Sequence, residues 1–210
     1  MQNVLVIGAT GKIGQQVVDK LSGYDVHVKA LLRDPDKLNV SNSDNLEICE
    51  ADLETDFSEY FQNVDTVVFS AGSGGSTGAD KTLLIDLWAA RNAVEYAKSN
   101  DTRHFIMVSS IGADDPDSID SSIKPYLVAK HMADEHLINS GVNYTILRPG
   151  SLLDDAGTGK VTTERPQSRN KMTIPREDVA EAIVQAILKQ PDSSQTFELF
   201  SGEEPVEALF

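Results

Sequence analysis

The chain has 210 residues and a formal net charge of −15, from 18 Lys and Arg against 33 Asp and Glu. A field of that sign repels phosphate backbones and anionic lipid, so neither nucleic acid nor a membrane surface is expected as a partner. Hydrophobic residues at 40% and charged residues at 24% are an ordinary globular balance, enough for one domain with a full core over 1–210. No apolar run approaches the span of a bilayer, and the start MQNVLVIG lacks a signal peptide's basic segment, so a cytoplasmic protein is expected. Cys49 is the only cysteine, which excludes an internal disulfide and a cysteine-based zinc site.

In chain order, NVLVIG reads as a buried strand. KIGQQVVDKLSG follows as a helix, with Ile13, Val17, Val18 and Leu21 on one face. VHVKALL (26–32), NLEICEAD (45–52) and VDTVVFSAG (64–72) are the next three strands. A long helix covers 79–100, the strand RHFIMVSS opens at 103, and another helix covers about 124–140. NYTILRPG (143–150) is the sixth strand, 176–190 the last main helix, and QTFELFSG (195–202) a closing strand. Region 151–175 is too polar and too rich in Gly and Asp for core, and reads as a loop or a weak hairpin at the ligand edge. Short apolar strands alternating with amphipathic helices predict an α/β fold: a single Rossmann-type domain with a doubly wound parallel sheet and helices on both faces.

The sequence VIGATGKIG places Gly8, Gly11 and Gly14 directly between the first strand and the first helix. Helix N-termini carry unpaired N–H groups and partial positive charge, which favour an anion. One glycine serves a sharp turn, one the close approach of a pyrophosphate, and one close helix–strand packing. The segment Gly8, Ala9, Thr10, Gly11, Lys12, Ile13 and Gly14 is therefore the expected cofactor cradle, spaced G-x-x-G-x-x-G rather than G-x-G-x-x-G. The second strand ends in Leu32 and Arg33, where an NAD site carries Asp or Glu. A guanidinium suits a 2′-phosphate, which favours NADP (NADPH) over NAD; Arg33 as a plain surface charge is the alternative. Asp34 stands one place late and is expected to cap a helix starting at Pro35.

Tyr126 and Lys130 in YLVAK form a Y-x-x-x-K pair that shares one helix face. The ammonium is expected to favour phenolate, so that Tyr126 exchanges a proton with a substrate oxygen while Lys130 also reaches the nicotinamide ribose. A tyrosine packed on the sheet beside a solvated lysine is the bland alternative.

VIGATGKIG, ALLRDPDKL, ADL, FSAGSGG, MVSSIGA, YLVAK and ILRPG occur in the order seen in the atypical short-chain dehydrogenase/reductases. The chain resembles their small NAD(P)-binding members, called epimerase/dehydratase-like, with NmrA-like and biliverdin/flavin reductase-like proteins as near relatives. That resemblance implies Asp52 and Leu53 beside the adenine, and Ala71, Gly72 and Ser73 along the cofactor. It also implies a catalytic serine at Ser110, with Ser109 as its rival, and Asp86 where the family usually has an asparagine. Asp86 either raises the pKa of Tyr126 or pairs with Lys81 or Arg91. His131 and His136, five apart on a helix, are not expected to bind metal. Trp88 is expected in the core or at a half-buried contact, DDPDSID (114–120) as a solvated loop or a lid, and GSGGSTG (72–78) as a flap or a flexible turn.

Three functions remain open at this stage. One is an NADPH-dependent reductase of a small carbonyl, quinone or flavin-like acceptor, acting as monomer or homodimer. The second is a sugar epimerase or dehydratase, for which little chain follows the sixth strand. The third is a non-catalytic NADP(H) redox sensor.

Overall fold

The computed structural model describes residues 1–40, 43–75, 77–119 and 121–210. Six strands carry the fold: β1 Gln2–Ile7, β2 Val26–Leu32, β3 Leu46–Glu50, β4 Thr66–Phe69, β5 His104–Val108 and β6 Tyr144–Pro149. They lie parallel in the order β3-β2-β1-β4-β5-β6, so the direction of winding reverses at β1 and β4. Ligands of such sheets bind outside the carboxyl ends of the strands at that reversal.

Period-2 alternation along each strand sends side chains to both faces. Val4 and Val6 enter one core with Ile13, Val17 and Leu21 of α1 (Lys12–Leu21). Leu5 and Ile7 enter the other, with Phe69, Phe105 and the small-residue face Ala89, Ala90, Ala93 and Ala97 of α2. Helix α2 comprises an α-helical turn Ala79–Lys81, a π-helical stretch Thr82–Ala89 and an α-helical run Ala90–Ser99. Helix α3 (Lys124–Ile138) packs on the same face, and α4 (Arg176–Lys189) lies beside α1 on the opposite one.

Region 151–175 departs from expectation. It is not a self-paired hairpin. Strands β7 (Ser151–Leu153) and β9 (Thr173–Pro175) pair in parallel as a separate two-stranded sheet, while β8 (Lys160–Thr162) runs antiparallel to β10 (Gln195–Ser201). Strand β10 joins β6 in parallel, and β11 (Glu204–Pro205) closes the edge against β8. Val161 and Ile174, single apolar residues among polar neighbours, are fully buried and anchor the region. Isolated anchors leave no periodic signal, so composition alone misreads the segment. The expected helix at Pro35 is one 3₁₀ turn, Pro35–Lys37, and the Asp36 N–H donates to the Asp34 carboxylate that caps it. Among the described residues, no helix is long and apolar enough to cross a membrane.

His104 sits at the start of β5, 2% exposed, with its Nε2 2.9 Å from the Thr145 hydroxyl and its Nδ1 buried without a partner. Burial pushes its pKa down to about 4. Above about pH 6.5 the imidazole is neutral in both folded and unfolded chains. Below that, the unfolded chain takes up a proton that the folded one refuses, so stability is lost progressively down to about pH 4. Urea unfolding from pH 7 to pH 4 is expected to show up to about 3 kcal/mol more loss in the wild type than in His104→Gln. Equal loss in both would show that His104 does not titrate this way.

Candidate functional site

The turn after β1 is built on a backbone contact that excludes side chains. Gly8 has φ +87°, and a Cβ there would lie 2.7 Å from the backbone of Ala71. A Cβ on Gly14 would stand 2.3 Å from the Gly8 carbonyl oxygen. The Gly11 N–H donates to that same oxygen at 2.9 Å, and Gly11 caps α1 with no side-chain bond to its first N–H groups. The helix therefore presents free donors and its positive end at the carboxyl ends of β1 and β4. Replacing Gly14 by Ala forces apart two backbone segments. It is expected to lower stability by about 1–3 kcal/mol in chemical denaturation, together with a loss of dinucleotide binding.

A cleft of about 380 Å³ opens over this turn. Its lining includes Gly8, Thr10, Gly11, Arg33, Asp52, Leu53, Ala71, Gly72 and Ser73, all expected from sequence. Ala9, Lys12 and Ile13 are placed differently. Ala9 and Ile13 are buried in the core beneath α1, so only their backbone faces the turn. The Lys12 ammonium is 2.6 Å from the Asp154 carboxylate, which also pairs with Arg176, and it borders a second cleft of about 550 Å³ on the other side of the loop. Thr10 lines both clefts. Arg33 is exposed and makes no ion pair with a described residue, whereas Asp34 pairs with Lys37 at 3.1 Å. Lys81 and Glu54 form an ion pair between the start of α2 and the segment after β3, and both line the cleft. Sequence inspection missed this pair, because 27 residues separate its members.

Beyond the Ala71–Ser73 edge lie the groups expected to do chemistry. Asp86 is 2% exposed on the π-helical stretch, and its Oδ2 accepts the Ser73 N–H at 3.1 Å. It pairs with neither Lys81, which is bound to Glu54, nor Arg91, which lies over the Trp88 ring at 4.9 Å and bonds Asn92. Trp88 itself is half-exposed rather than core. Ser73 also lies 3.3 Å from the Thr82 hydroxyl, and Thr77 donates to the carbonyls of Ser73 and Gly74. The described part of 72–78 is thus tied to α2; Ser76 lies outside the described residues.

Tyr126 is half-buried beside Ser110, whose hydroxyl donates to the Ile111 carbonyl at 3.2 Å. Ser109 turns away and donates to Asp134 Oδ2 at 2.8 Å, so of the two serines it is Ser110 that meets the phenol. Burial, and then the charge of Asp86, push the Tyr126 pKa up to about 12. The expected phenolate is corrected here: the Lys130 ammonium does not offset burial, and Tyr126 is a protonated donor at neutral pH. Lys130 is 1% exposed, and no hydrogen bond or ion pair joins it to any described residue. Burial pulls its pKa down, against the opposing charges of Asp86 and Asp134. Asp134 and Arg148, joined at 3.0 Å, also went unnoticed in the sequence, where ADEH looks like a solvated helix surface.

The remaining expectations resolve as follows. His131 bonds the Ala113 carbonyl and His136 meets Glu95; among the described residues no cluster of His, Cys, Asp or Glu has the arrangement of a metal site. In the acidic loop, Asp114 pairs with Arg165 and Asp117 with Lys124; Asp120 lies outside the described residues.

A doubly wound sheet, a side-chain-free turn at its reversal point and an uncapped helix N-terminus define a dinucleotide-binding protein. The NAD(P)H-binding family model matches residues 8–190, and the chain belongs to that family. It is 37% identical to the uncharacterized sugar epimerase YhfK of Bacillus subtilis, over 98% of each chain. A solved Bacillus halodurans structure described as an NAD-dependent epimerase/dehydratase superposes with a TM-score of 0.91 at 38% identity, covering 100% of this chain and 98% of that one. Sanguinarine reductase of Eschscholzia californica is 32% identical over 58% of this chain and 47% of its own.

Proposed function

We propose that the protein is an NADPH-dependent reductase of a small carbonyl, quinone or flavin-like acceptor. The observation that carries this reading is the grouping of Tyr126, half-buried beside Ser110 at the carboxyl end of β5, with the buried Lys130 one helical turn further along α3. The likeness to sanguinarine reductase supports it.

The residues of the turn fit a dinucleotide. The free N–H groups of α1 and the Cβ-free approach of Gly8 and Gly14 accept a pyrophosphate. Asp52 and Leu53 flank the adenine end. The exposed, unpaired Arg33 would hold a 2′-phosphate, with Lys37 close by on the same lining. Ala71, Gly72 and Ser73 lead from there toward Tyr126. Bound NADPH supplies hydride to the acceptor carbon. Ser110 holds the acceptor oxygen, and Tyr126 gives it the proton that converts the developing alkoxide to alcohol. Lys130 reaches the ribose, and Asp86 fixes the Ser73 segment while keeping the phenol protonated.

Replacing Arg33 by Ala is expected to erase most of the preference for NADPH over NADH in a fluorescence titration; equal affinities in the wild type would discard the assignment. Tyr126→Phe keeps the ring and loses the proton. With a carbonyl acceptor its turnover should fall about 10²–10⁴-fold while NADPH affinity holds. Full activity of that variant on a carbonyl would remove Tyr126 from the chemistry. A quinone or flavin acceptor can take its proton from water and should tolerate the change.

The name of the Bacillus subtilis relative favours a second reading, in which a sugar is transiently oxidised and then reduced again. The same acceptor screen separates the two. A reductase consumes one NADPH per product, whereas an epimerase converts sugar with no net change in cofactor absorbance. Tight binding without either turnover would leave a redox sensor.

A further inference from the structure

We propose that Asp134 is the counter-ion of Lys130, a positioning residue that keeps the buried ammonium charged and aimed at the site. This rests on the reading of Lys130 as the group facing ribose and phenol. Lys130 and Asp134 are four residues apart on α3, so they share one helix face, and both are buried, at 1% and 0% exposure. A buried ammonium without a partner is costly, and no described residue bonds it directly. Asp134 has the complementary deficit. Its Oδ2 accepts from the Ser109 hydroxyl at 2.8 Å and from Arg148 Nε at 3.0 Å, while its Oδ1 is buried with no hydrogen-bond partner among the described residues.

The surrounding charges make the arrangement specific. Lys130 faces Asp134 on its own helix and Asp86 on the π-helical stretch of α2. Asp134 faces Lys130, Arg148 on β6 and Ser109 after β5. Tyr126 completes the group, beside Ser110 and facing both Asp86 and Asp134. Burial pushes the Asp134 pKa up, and the two cations and the Ser109 hydroxyl oppose that push. Arg148 and Ser109 thus hold the carboxylate through Oδ2. Asp86 is shared with the Ser73 N–H and with the phenol's electrostatics, so it cannot serve Lys130 alone.

The test reads Lys130 itself rather than turnover. Selectively labelled lysine side chains are followed by NMR across pH in the intact chain, with Lys130→Met assigning the resonance. In the wild type the Lys130 ammonium should remain charged at pH 7. Asp134→Asn keeps the size of the side chain and an acceptor for Ser109, but removes the charge. It should lower the Lys130 midpoint by about one pH unit or more. Ser109→Ala keeps every charge and should leave it unchanged. A wild-type Lys130 already neutral at pH 7, or a folded Asp134→Asn with an unmoved midpoint, overturns the proposal. If Asp134→Asn does not fold, Asp134→Ser removes the same charge, and an unmoved midpoint in that variant overturns it instead. Should the midpoints shift as expected while NADPH binding stays indifferent to them, the counter-ion stands and the role of Lys130 toward the cofactor fails.

Discussion

Three backbone segments meet where no side chain fits. The turn after β1, the first turn of α1 and the chain leaving β4 converge at Gly8, Gly14 and Ala71, with separations that a single methyl group would violate. That contact sets the distance of α1 from the sheet. It also leaves the helix donors bare, because Gly11 offers no side chain to cap them. The same contact carries Ala71 to Ser73 out from β4, and Asp86 on α2 then captures Ser73. The cleft is thus bounded at its base and on one wall by consequences of one steric constraint.

The π-helical stretch extends that logic to the chemistry. Wider helical turns are uncommon and gather at functional sites. Here eight residues of π-helix carry one buried carboxylate, Asp86, while Leu83 and Trp88 on the same stretch remain exposed. A continuous amphipathic α-helix would put the apolar residues in and the carboxylate out. The inversion has an electrostatic result, since Asp86 stands near Tyr126, Lys130 and the Ser73 amide, and its charge adds to burial in pushing the phenol pKa up.

These features differ in how far they could be read from the amino-acid sequence. The order of strands and helices was legible, because each buried strand is a short β-branched run and each helix repeats its apolar residues every three or four positions. The glycine turn was legible because a sharp turn and a close backbone approach demand residues without side chains there, whereas the place of Asp52 and the Ala71–Ser73 segment in the cleft lining followed from the family resemblance. What sequence could not supply was partnership across distance. Asp154 neutralises Lys12 from 142 residues away, Glu54 meets Lys81, and Arg148 meets Asp134. Each of these residues looks like an ordinary solvated charge in its local context. The protonation of Tyr126 was misjudged for the same reason. A helix-neighbour rule sees Lys130, whereas burial and Asp86 depend on the packing of α2 against α3.

An overall charge of −15 poses a problem for a family whose cofactor is polyanionic. The structure meets it by distributing local charge unevenly. Lys12 and Arg176, beside the second cleft, share a single carboxylate, Lys81 is matched by one glutamate, and Arg33 makes no ion pair with a described residue. Exposed charges more than about 8–10 Å apart are screened at physiological ionic strength, so the distant acidic surface contributes little at the cleft. The helix N-terminus acts within its first turn, where screening is weakest. An anion reaching this turn therefore meets fixed donors and an unspent guanidinium, and the net charge of the molecule governs its approach from solution more than its binding.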